Sequence, residues 1–140
     1  MDQCLFQAKR KGGLIIMDFR DNEAIYMQIA AHVSENITLD KWAAEQKIPS
    51  VRDLAVALQV NPNTVARTYE FLQNKEVIFN KRGIGYFVSA DAKNKVKSYR
   101  KERFLQQELP EFFKNIFLLD ISLEEIEKRY QSFKTQNYQA

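Results

Sequence analysis

Apolar side chains recur at helical spacing in the first half of the chain. Ile25, Ile29 and Val33 stand four residues apart, with Ala30 and Ile37 in the same stripe, and this spacing predicts an amphipathic helix from about Glu23 to about Glu35. Two further stripes with the spacing i, i+3 or i+4, i+7 predict a helix of about nine residues and a longer helix after it. The residues of these stripes are Val51, Leu54, Ala55 and Leu58 for the shorter helix, and Val65, Tyr69 and Leu72 for the longer one.

Both of these later helices carry a start signal. Ser50 follows Pro49 and precedes the first stripe, where a serine side chain can cap the free amides of the first turn. Asn61 precedes the second stripe as a candidate N-cap, and Pro62 then takes the first helical position, where its missing amide is not needed. Two capped helices joined by only two or three residues are typical of a helix-turn-helix.

The polar face of the longer helix indicates nucleic-acid contact. Asn63, Thr64, Arg67 and Thr68 are residue types that reach base edges and phosphates from the N-terminal part of a recognition helix. Arg67 has an alternative interpretation as a surface ion-pair partner, and Asn61 is as good an N-cap as a base contact.

A β-rich stretch follows the helix-turn-helix. Two short apolar runs, 77–79 and 86–88, flank a loop that contains two glycines and two cations, which predicts a β-hairpin, the wing of a winged helix-turn-helix. Lys81 and Arg82 are expected at its tip, next to phosphate or a minor groove. Gly83 is expected to allow a positive φ and a close backbone approach.

The last 50 residues return to helical spacing and hold five of the ten Phe residues. Pro110 marks a kink or a restart, and Ser122 with Glu125 three residues later predicts a capping box at the start of a final helix. Two helices packed as a hairpin would leave apolar surface in water, so we expect a partner to cover it. The residues expected at this contact are Leu109, Phe112, Phe113, Ile116, Phe117, Ile126, Tyr130 and Phe133.

These elements predict a mainly α fold with a small β-hairpin in three segments. Residues 1–16 place basic residues and two glycines ahead of a short apolar run, which predicts a flexible leader and a candidate strand from Leu14 to Phe19. Residues 17–90 are expected to form the winged helix-turn-helix domain, and residues 91–140 a helical dimerisation arm.

The charge of the chain is regional. The net charge is +3, but residues 81–103 hold eight cations and two anions, a local +6 that leaves −3 for the rest. Clustered cations favour nucleic-acid contact only weakly, because they more often form a solvated helix face. Both interpretations stay open for the stretch from Lys93 to Arg103.

Composition excludes several classes of protein. A single cysteine, Cys4, excludes an internal disulfide, and with one histidine, His32, no metal site and no catalytic Ser/Cys-His arrangement is expected. No phosphate-binding glycine loop is present, so we predict neither an enzyme nor a cofactor. The chain holds no apolar run of the length that spans a membrane and no secretory signal, which predicts the cytoplasm. We expect His32 at a surface or interface and Trp42 as a core or staple residue.

Several motifs in order resemble the GntR family of bacterial transcriptional regulators. They lie within residues 18–89, about half of the chain, and begin with a first-helix sequence. The motifs are Ala24-Ile25-Tyr26-Met27-Gln28-Ile29, then Ile48-Pro49-Ser50-Val51-Arg52-Asp53-Leu54-Ala55, then Val60-Asn61-Pro62-Asn63-Thr64-Val65, and finally Gly83-Ile84-Gly85-Tyr86-Phe87-Val88.

The resemblance implies roles for individual residues. Arg52 matches the base-contacting arginine of the family, and an arginine suits this role because it donates two hydrogen bonds to guanine. Asn61, Asn63 and Thr64 match the start of the recognition helix, and Gly83 with Arg82 matches the wing tip. Ser50 is a helix cap with a phosphate contact as the alternative.

Two positions depart from the family pattern. Glu45 and Glu76 stand where the family has glycines, before the Pro-Ser motif and after the recognition helix, and they put the conformation of those loops in question. The short tail is similar to the YtrA-like subfamily, which implies helices that dimerise the protein and transporter genes as targets. About 50 residues after the wing are too few to enclose a conventional effector pocket.

The function that follows is sequence-specific regulation of transcription. We expect a homodimeric repressor that binds a pseudo-palindromic, double-stranded operator, with an effector small molecule left open. The alternative is a winged-helix module that binds another protein and does not read DNA. The polar residues retained on the recognition helix and the wing argue against this alternative.

Overall fold

A computed structural model describes residues 8–11, 14–17 and 23–138 of the chain. Strands β1 (Ala8–Lys11) and β2 (Leu14–Met17) pair antiparallel, with Ala8 opposite Met17 and Lys11 opposite Leu14. Strand β2 lies within the predicted strand, whose last two residues are outside the described residues. Residues 1–7 and 12–13 are also outside them, so the flexible leader over 1–16 stays a prediction.

Three helices and a hairpin follow, in the predicted order. They are α1 (Ile25–Thr38), α2 (Val51–Leu58), α3 (Pro62–Asn74), β3 (Ile78–Lys81) and β4 (Gly85–Val88). The mainly α fold with a small β-hairpin is therefore confirmed. Helix α1 continues past the predicted end at about Glu35 because Ile37, four residues after Val33, extends the buried face.

The core of this region joins the helices to the hairpin. Ile29 and Val33 of α1 meet Val65, Tyr69 and Leu72 of α3, and all five side chains are fully buried. Ile78 and Val88, which face each other across the hairpin, continue the same core. The apolar face of each helix is thus buried inside the domain, and the opposite faces of α2 and α3 stay exposed.

The hairpin is extended by a third segment on its β4 side. The amide of Ile48 donates to the carbonyl oxygen of Tyr86 at 3.0 Å, and the amide of Val88 donates to that of Gln46 at 3.0 Å. Lys47 forms an isolated antiparallel bridge with Phe87. The chain that leads into α2 is therefore held against the wing.

Helix α4 (Ala92–Arg103) follows the wing, and the boundary between two compact units, Met1–Tyr99 and Arg100–Ala140, falls inside it. Val96 and Tyr99 belong to the core of the first unit. The hydroxyl of Tyr99 donates to the oxygen of Ser34, whose own hydroxyl donates to the carbonyl oxygen of Ala30 at 2.7 Å. The first unit therefore extends past residue 90, and the predicted functional division at that point stays a prediction.

The second unit consists of helical segments. A π-helical turn, Phe104–Glu108, leads into α5 (Leu109–Leu118), and α6 (Leu123–Asn137) follows after a short loop. The amide of Leu109 donates to the carbonyl oxygen of Phe104, five residues earlier, immediately before Pro110. A π turn at this place accommodates a proline, which has no amide to donate and would crowd an ordinary helical turn. Pro110 thus lies in the first turn of α5, directly after the π turn.

Candidate nucleic-acid interface

The start of α2 presents Arg52 to solvent. Ser50 caps the helix, and its side-chain oxygen accepts a hydrogen bond from the amide of Asp53 at 3.1 Å. This confirms the predicted cap. Arg52 is exposed in the first turn and makes no hydrogen bond or ion pair with another described residue. Its guanidinium is therefore free to donate hydrogen bonds to a partner outside the chain.

The turn between α2 and α3 is short and locally satisfied. Gln59 ends α2 in the left-handed region at φ 56°, and the amide of Val60 donates back to the carbonyl oxygen of Ala55 at 3.0 Å. The side chain of Asn61 accepts from the amide of Asn63 at 2.8 Å, and Pro62 is the first residue of α3. The predicted cap is confirmed, so the carbonyl oxygen of the Asn61 side chain is engaged in it.

Three predicted contacts lie on the accessible face of α3. Asn63 and Arg67 are exposed, and Thr64 is half-buried. The guanidinium carbon of Arg67 stands 3.9 Å from the centre of the Tyr26 ring on α1, a cation-π contact. Arg67 forms no ion pair with another described residue, so the alternative interpretation is not supported; it stacks on an aromatic ring instead. The stack fixes where the guanidinium lies on the recognition helix.

Thr68 does not belong to this face, and its prediction as a DNA contact is wrong. Its side chain is 0% exposed. The hydroxyl lies 2.9 Å from the carbonyl oxygen of Tyr26 on α1 and 3.0 Å from that of Thr64, and its one proton is shared between these two acceptors. Thr68 therefore joins α3 to α1 within the core and has no surface to offer a base.

The wing tip is a tight turn of three residues, 82–84. Lys81 pairs with Gly85 at the end of the ladder, and the amide of Ile84 donates to the carbonyl oxygen of Lys81 at 2.9 Å. Gly83 has φ 79°, and a Cβ there would meet no atom within 4 Å. Glycine is thus favoured by the backbone conformation and not by crowding within the chain, and the exposed backbone can be approached closely. Arg82 is exposed beside it.

Glu45 and Glu76 adopt the conformation that a glycine favours. Glu45 has φ 65° and Glu76 has φ 61°, both in the left-handed region. The backbone course is thus kept without glycine, at a cost of about 1 kcal/mol or more for each residue. The side chain of Glu76 also accepts a hydrogen bond from Lys95 at 3.0 Å, a contact that raises the pKa of this lysine.

The basic stretch from Lys93 to Arg103 is in part neutralised. The ammonium group of Lys93 stands 2.6 Å from a carboxylate oxygen of Asp40, and that of Lys95 stands 3.0 Å from Glu76. Both pairs join α4 to loops of the first unit. These two cations therefore serve ion pairs, whereas Lys97, Arg100 and Lys101 are exposed and form no ion pair with another described residue.

Two other predictions concern the first unit. His32 is 6% exposed, so its prediction as a surface residue is wrong; the side-chain amide of Asn36 donates to its Nε2 at 3.3 Å. Trp42 is half-buried and packs against the core, as predicted. It also lines a cavity of about 270 Å³, whose wall includes Ile37, Val88 and the Asp40–Lys93 pair.

The described residues contain no group of three His, Cys, Asp or Glu side chains placed to hold a metal ion. In the same part of the chain, no helix has the length and apolar character needed to cross a membrane.

The second unit exposes a large apolar surface. Phe117 is 80% exposed, and its neighbours Phe112 and Phe113, with Tyr130 and Phe133 on α6, are exposed as well. Leu109 and Ile126 are half-buried. Ile116, also predicted at this contact, is 9% exposed, so it offers little surface to a partner.

The start of α6 shows half of the predicted capping box. The oxygen of Ser122 accepts from the amide of Glu125 at 3.2 Å, whereas the carboxylate of Glu125 accepts from Arg129 at 2.7 Å.

Comparisons with known proteins agree with this geometry. The family model described as bacterial regulatory proteins, gntR family, matches residues 25–88. A crystal structure of a putative GntR-family transcriptional regulator from Bacteroides thetaiotaomicron superposes with a TM-score of 0.70 at 50% identity, over 81% of this chain and 98% of that one. An uncharacterized HTH-type transcriptional regulator of Bacillus subtilis (strain 168), YhcF, is 29% identical over 82% of this chain and 93% of its own length. The HTH-type transcriptional repressor YtrA of the same organism is 36% identical over 57% of this chain and 62% of its own length.

Proposed function

Because the chain belongs to the GntR family of DNA-binding transcriptional regulators, we propose that it is a homodimeric repressor that binds a pseudo-palindromic operator. Family members are regulators and not enzymes, so the exposed polar surface of α2, α3 and the wing is a binding surface for DNA. Such a regulator acts in the cytoplasm.

The observation that carries the proposal is the exposure of Arg52, Asn63 and Arg67 next to a capped turn and a glycine-tipped wing. Arginine at base edges gives sequence preference, whereas cations beside the duplex give affinity. Ser50, Asn61, Pro62, Thr64, Lys81, Arg82 and Gly83 complete the proposed DNA surface. A protein-binding module without DNA readout would not need this set.

The dimer is proposed from the apolar surface of the second unit. Exposed aromatic side chains in such number are costly in water, and a second copy of the same unit would bury them about a two-fold axis. Leu109, Phe112, Phe113, Phe117, Ile126, Tyr130 and Phe133 are the proposed contacts. Two copies would then present two recognition helices to two half-sites.

Repression and the regulated genes rest on similarity to YtrA, which is named a repressor. Transporter genes are the proposed targets on the YtrA-like resemblance alone, and the identity of any effector is left open. The proposal requires no cofactor.

Two measurements test the proposal. DNase footprinting on DNA upstream of the gene, at two salt concentrations, should show two protected half-sites related by a two-fold axis. Absence of sequence preference over competitor DNA would overturn the proposed operator binding.

Light scattering should give twice the chain mass of 16.4 kDa. Phe117→Asp should lower this to the monomer mass, because a carboxylate would be placed within the apolar contact. Leu39→Asp places the same charge at an exposed apolar residue of the first unit; it is the matched control and should leave the dimer intact. A wild-type monomer would contradict the dimer.

A further inference from the structure

The outer face of the wing carries a cation on an aromatic surface. Phe79 of β3 pairs with Phe87 of β4, and the two rings stack at 5.7 Å between centres. The ammonium group of Lys81 lies 4.5 Å from the centre of the Phe87 ring and 5.8 Å from that of Phe79. Cation-π contact of this kind restricts where a lysine head group can go.

Lys47 reaches the same face from a different part of the chain. It forms the isolated bridge with Phe87, and residues directly opposite each other in an antiparallel pair project to the same side. Lys81 and Gly85 are opposite each other as well, two residues further along the hairpin. Lys47 therefore lies on the same face of the sheet as Lys81, opposite to the face that packs on the core.

Gly85 leaves the space that the Lys47 side chain uses. A Cβ built on Gly85 would stand 3.0 Å from Cε of Lys47 and 3.8 Å from its Nζ. The lysine could move aside, because the contact is with the far end of its flexible side chain. However, Gly85 also has φ 139°, a backbone conformation in which any other residue would be strained. The missing side chain at Gly85 thus lets the Lys47 ammonium group lie against the wing near its tip.

The strands of the wing and the adjoining residues 46–48 carry charges of one sign. Within β3, β4 and the adjoining residues 46–48, the charged side chains are Lys47 and Lys81, and both are exposed. Neither forms an ion pair with another described residue. Two such ammonium groups beside a wing tip suit a row of phosphates, because a lysine is a point charge without the planar donor pattern that an arginine presents to a base edge.

We propose that Lys47 and Lys81 form a phosphate-binding face on the wing, in which Lys47 binds the DNA backbone without reading sequence. This inference rests on the proposed function, which supplies the duplex. It adds a residue from the connector before α2 to the DNA surface. Lys47 was not among the predicted contacts because it belongs to no helix stripe or hairpin run, and its bridge to Phe87 becomes visible only in the fold.

The experiment measures how DNA affinity depends on salt. Fluorescence anisotropy with the footprinted operator and with a scrambled duplex gives the slope of log K against log salt for each protein. Lys47→Gln should reduce the magnitude of this slope by about 0.9 for each copy of the chain on the DNA, equally on both duplexes. Lys47→Arg should keep the wild-type slope, because the charge is retained.

Lys128→Gln, the same change at an exposed position of α6, is the matched control and should leave the slope unchanged. Thermal unfolding of Lys47→Gln should match the wild type, because the bridge to Phe87 uses backbone atoms. A wild-type slope for Lys47→Gln, or a loss restricted to the operator, would overturn the inference while the proposed function stands. A wild type that binds neither duplex would overturn both.

Discussion

The hydroxyl of Tyr69 donates a hydrogen bond of 2.6 Å to the carbonyl oxygen of Pro49. Tyr69 lies in the middle of the recognition helix α3, and Pro49 lies just before the cap of α2. The Tyr69 ring is fully buried and meets the edge of Tyr86 in the wing at 4.9 Å between centres. One side chain thus connects the recognition helix, the start of α2 and the wing.

Tyr69→Phe removes only the hydroxyl and leaves the Pro49 carbonyl oxygen without this donor. We expect unfolding in urea to show a loss of about 1 kcal/mol, the usual net value of a hydrogen bond inside a protein. Burial also raises the pKa of Tyr69, so the loss should be the same at neutral and mildly alkaline pH. A variant as stable as the wild type would mean that the hydrogen bond contributes nothing to the fold.

Glu45→Gly and Glu76→Gly should both stabilise the protein. The left-handed backbone at each site penalises a side chain, and glycine relieves this at some cost in unfolded-state entropy. We expect a gain of about 0.5–1 kcal/mol for Glu45→Gly, and a smaller gain for Glu76→Gly because the contact with Lys95 is lost.

Glu70→Gly is the matched control for these two variants. Glu70 is exposed within α3, where glycine should destabilise by about 1 kcal/mol. Chemical denaturation of the three variants gives the sign directly. Destabilisation by all three would show that the loops do not need the left-handed conformation.

His32 should make stability depend on pH. Burial, with a smaller contribution from the charge of Lys41, lowers its pKa from 6.5 to about 4. The unfolded chain therefore binds a proton between these values while the folded chain does not, and protonation favours unfolding. His32 therefore contributes about 3 kcal/mol to the free energy of unfolding; this contribution is fully present above pH 6.5 and is lost as the pH falls towards 4.

Since His32 is the only histidine in the chain, His32→Gln should flatten this part of the curve. Urea midpoints measured across the window provide the test. An unchanged slope in the variant would assign the pH dependence to carboxylates instead.

Tyr26 should affect DNA binding through Arg67. Tyr26→Leu removes the ring under the guanidinium, and a cation-π contact at such a site is worth about 0.5–1 kcal/mol, so affinity for DNA should fall by about two- to fivefold. Tyr26→Phe keeps a ring and should bind like the wild type. Anisotropy titrations compare the two. Tighter binding by Tyr26→Leu would instead show that the stack holds Arg67 away from DNA.

The helix starts and the wing could be predicted because their signals are local. Ser50, Asn61 and Ser122 each cap the helix that follows them. Caps, a proline at the first helical position and a glycine loop act within a few residues, so sequence alone carries their information.

The predictions for Thr68 and His32 are wrong because residue type alone does not distinguish a buried polar residue from an exposed one. Thr68 follows Val65 at i+3, within the stripe that buries α3, and its burial depends on carbonyl oxygens of Tyr26 and Thr64 that only the fold provides. Lys47 was missed for a related reason, since its place on the wing arises from a long-range bridge. The conformation at Glu45 and Glu76 likewise follows from the backbone course and not from residue preference.

The most direct test of the account is the sequence preference of Arg52→Ala. Competition between the footprinted operator and a scrambled duplex, at one fixed salt concentration, should show a loss of about 1–3 kcal/mol in preference, which corresponds to about five- to 150-fold. Arg129→Ala, an exposed arginine of α6, should keep the wild-type preference. If Arg52→Ala discriminates between the two duplexes as well as the wild type does, base reading by α2 is contradicted.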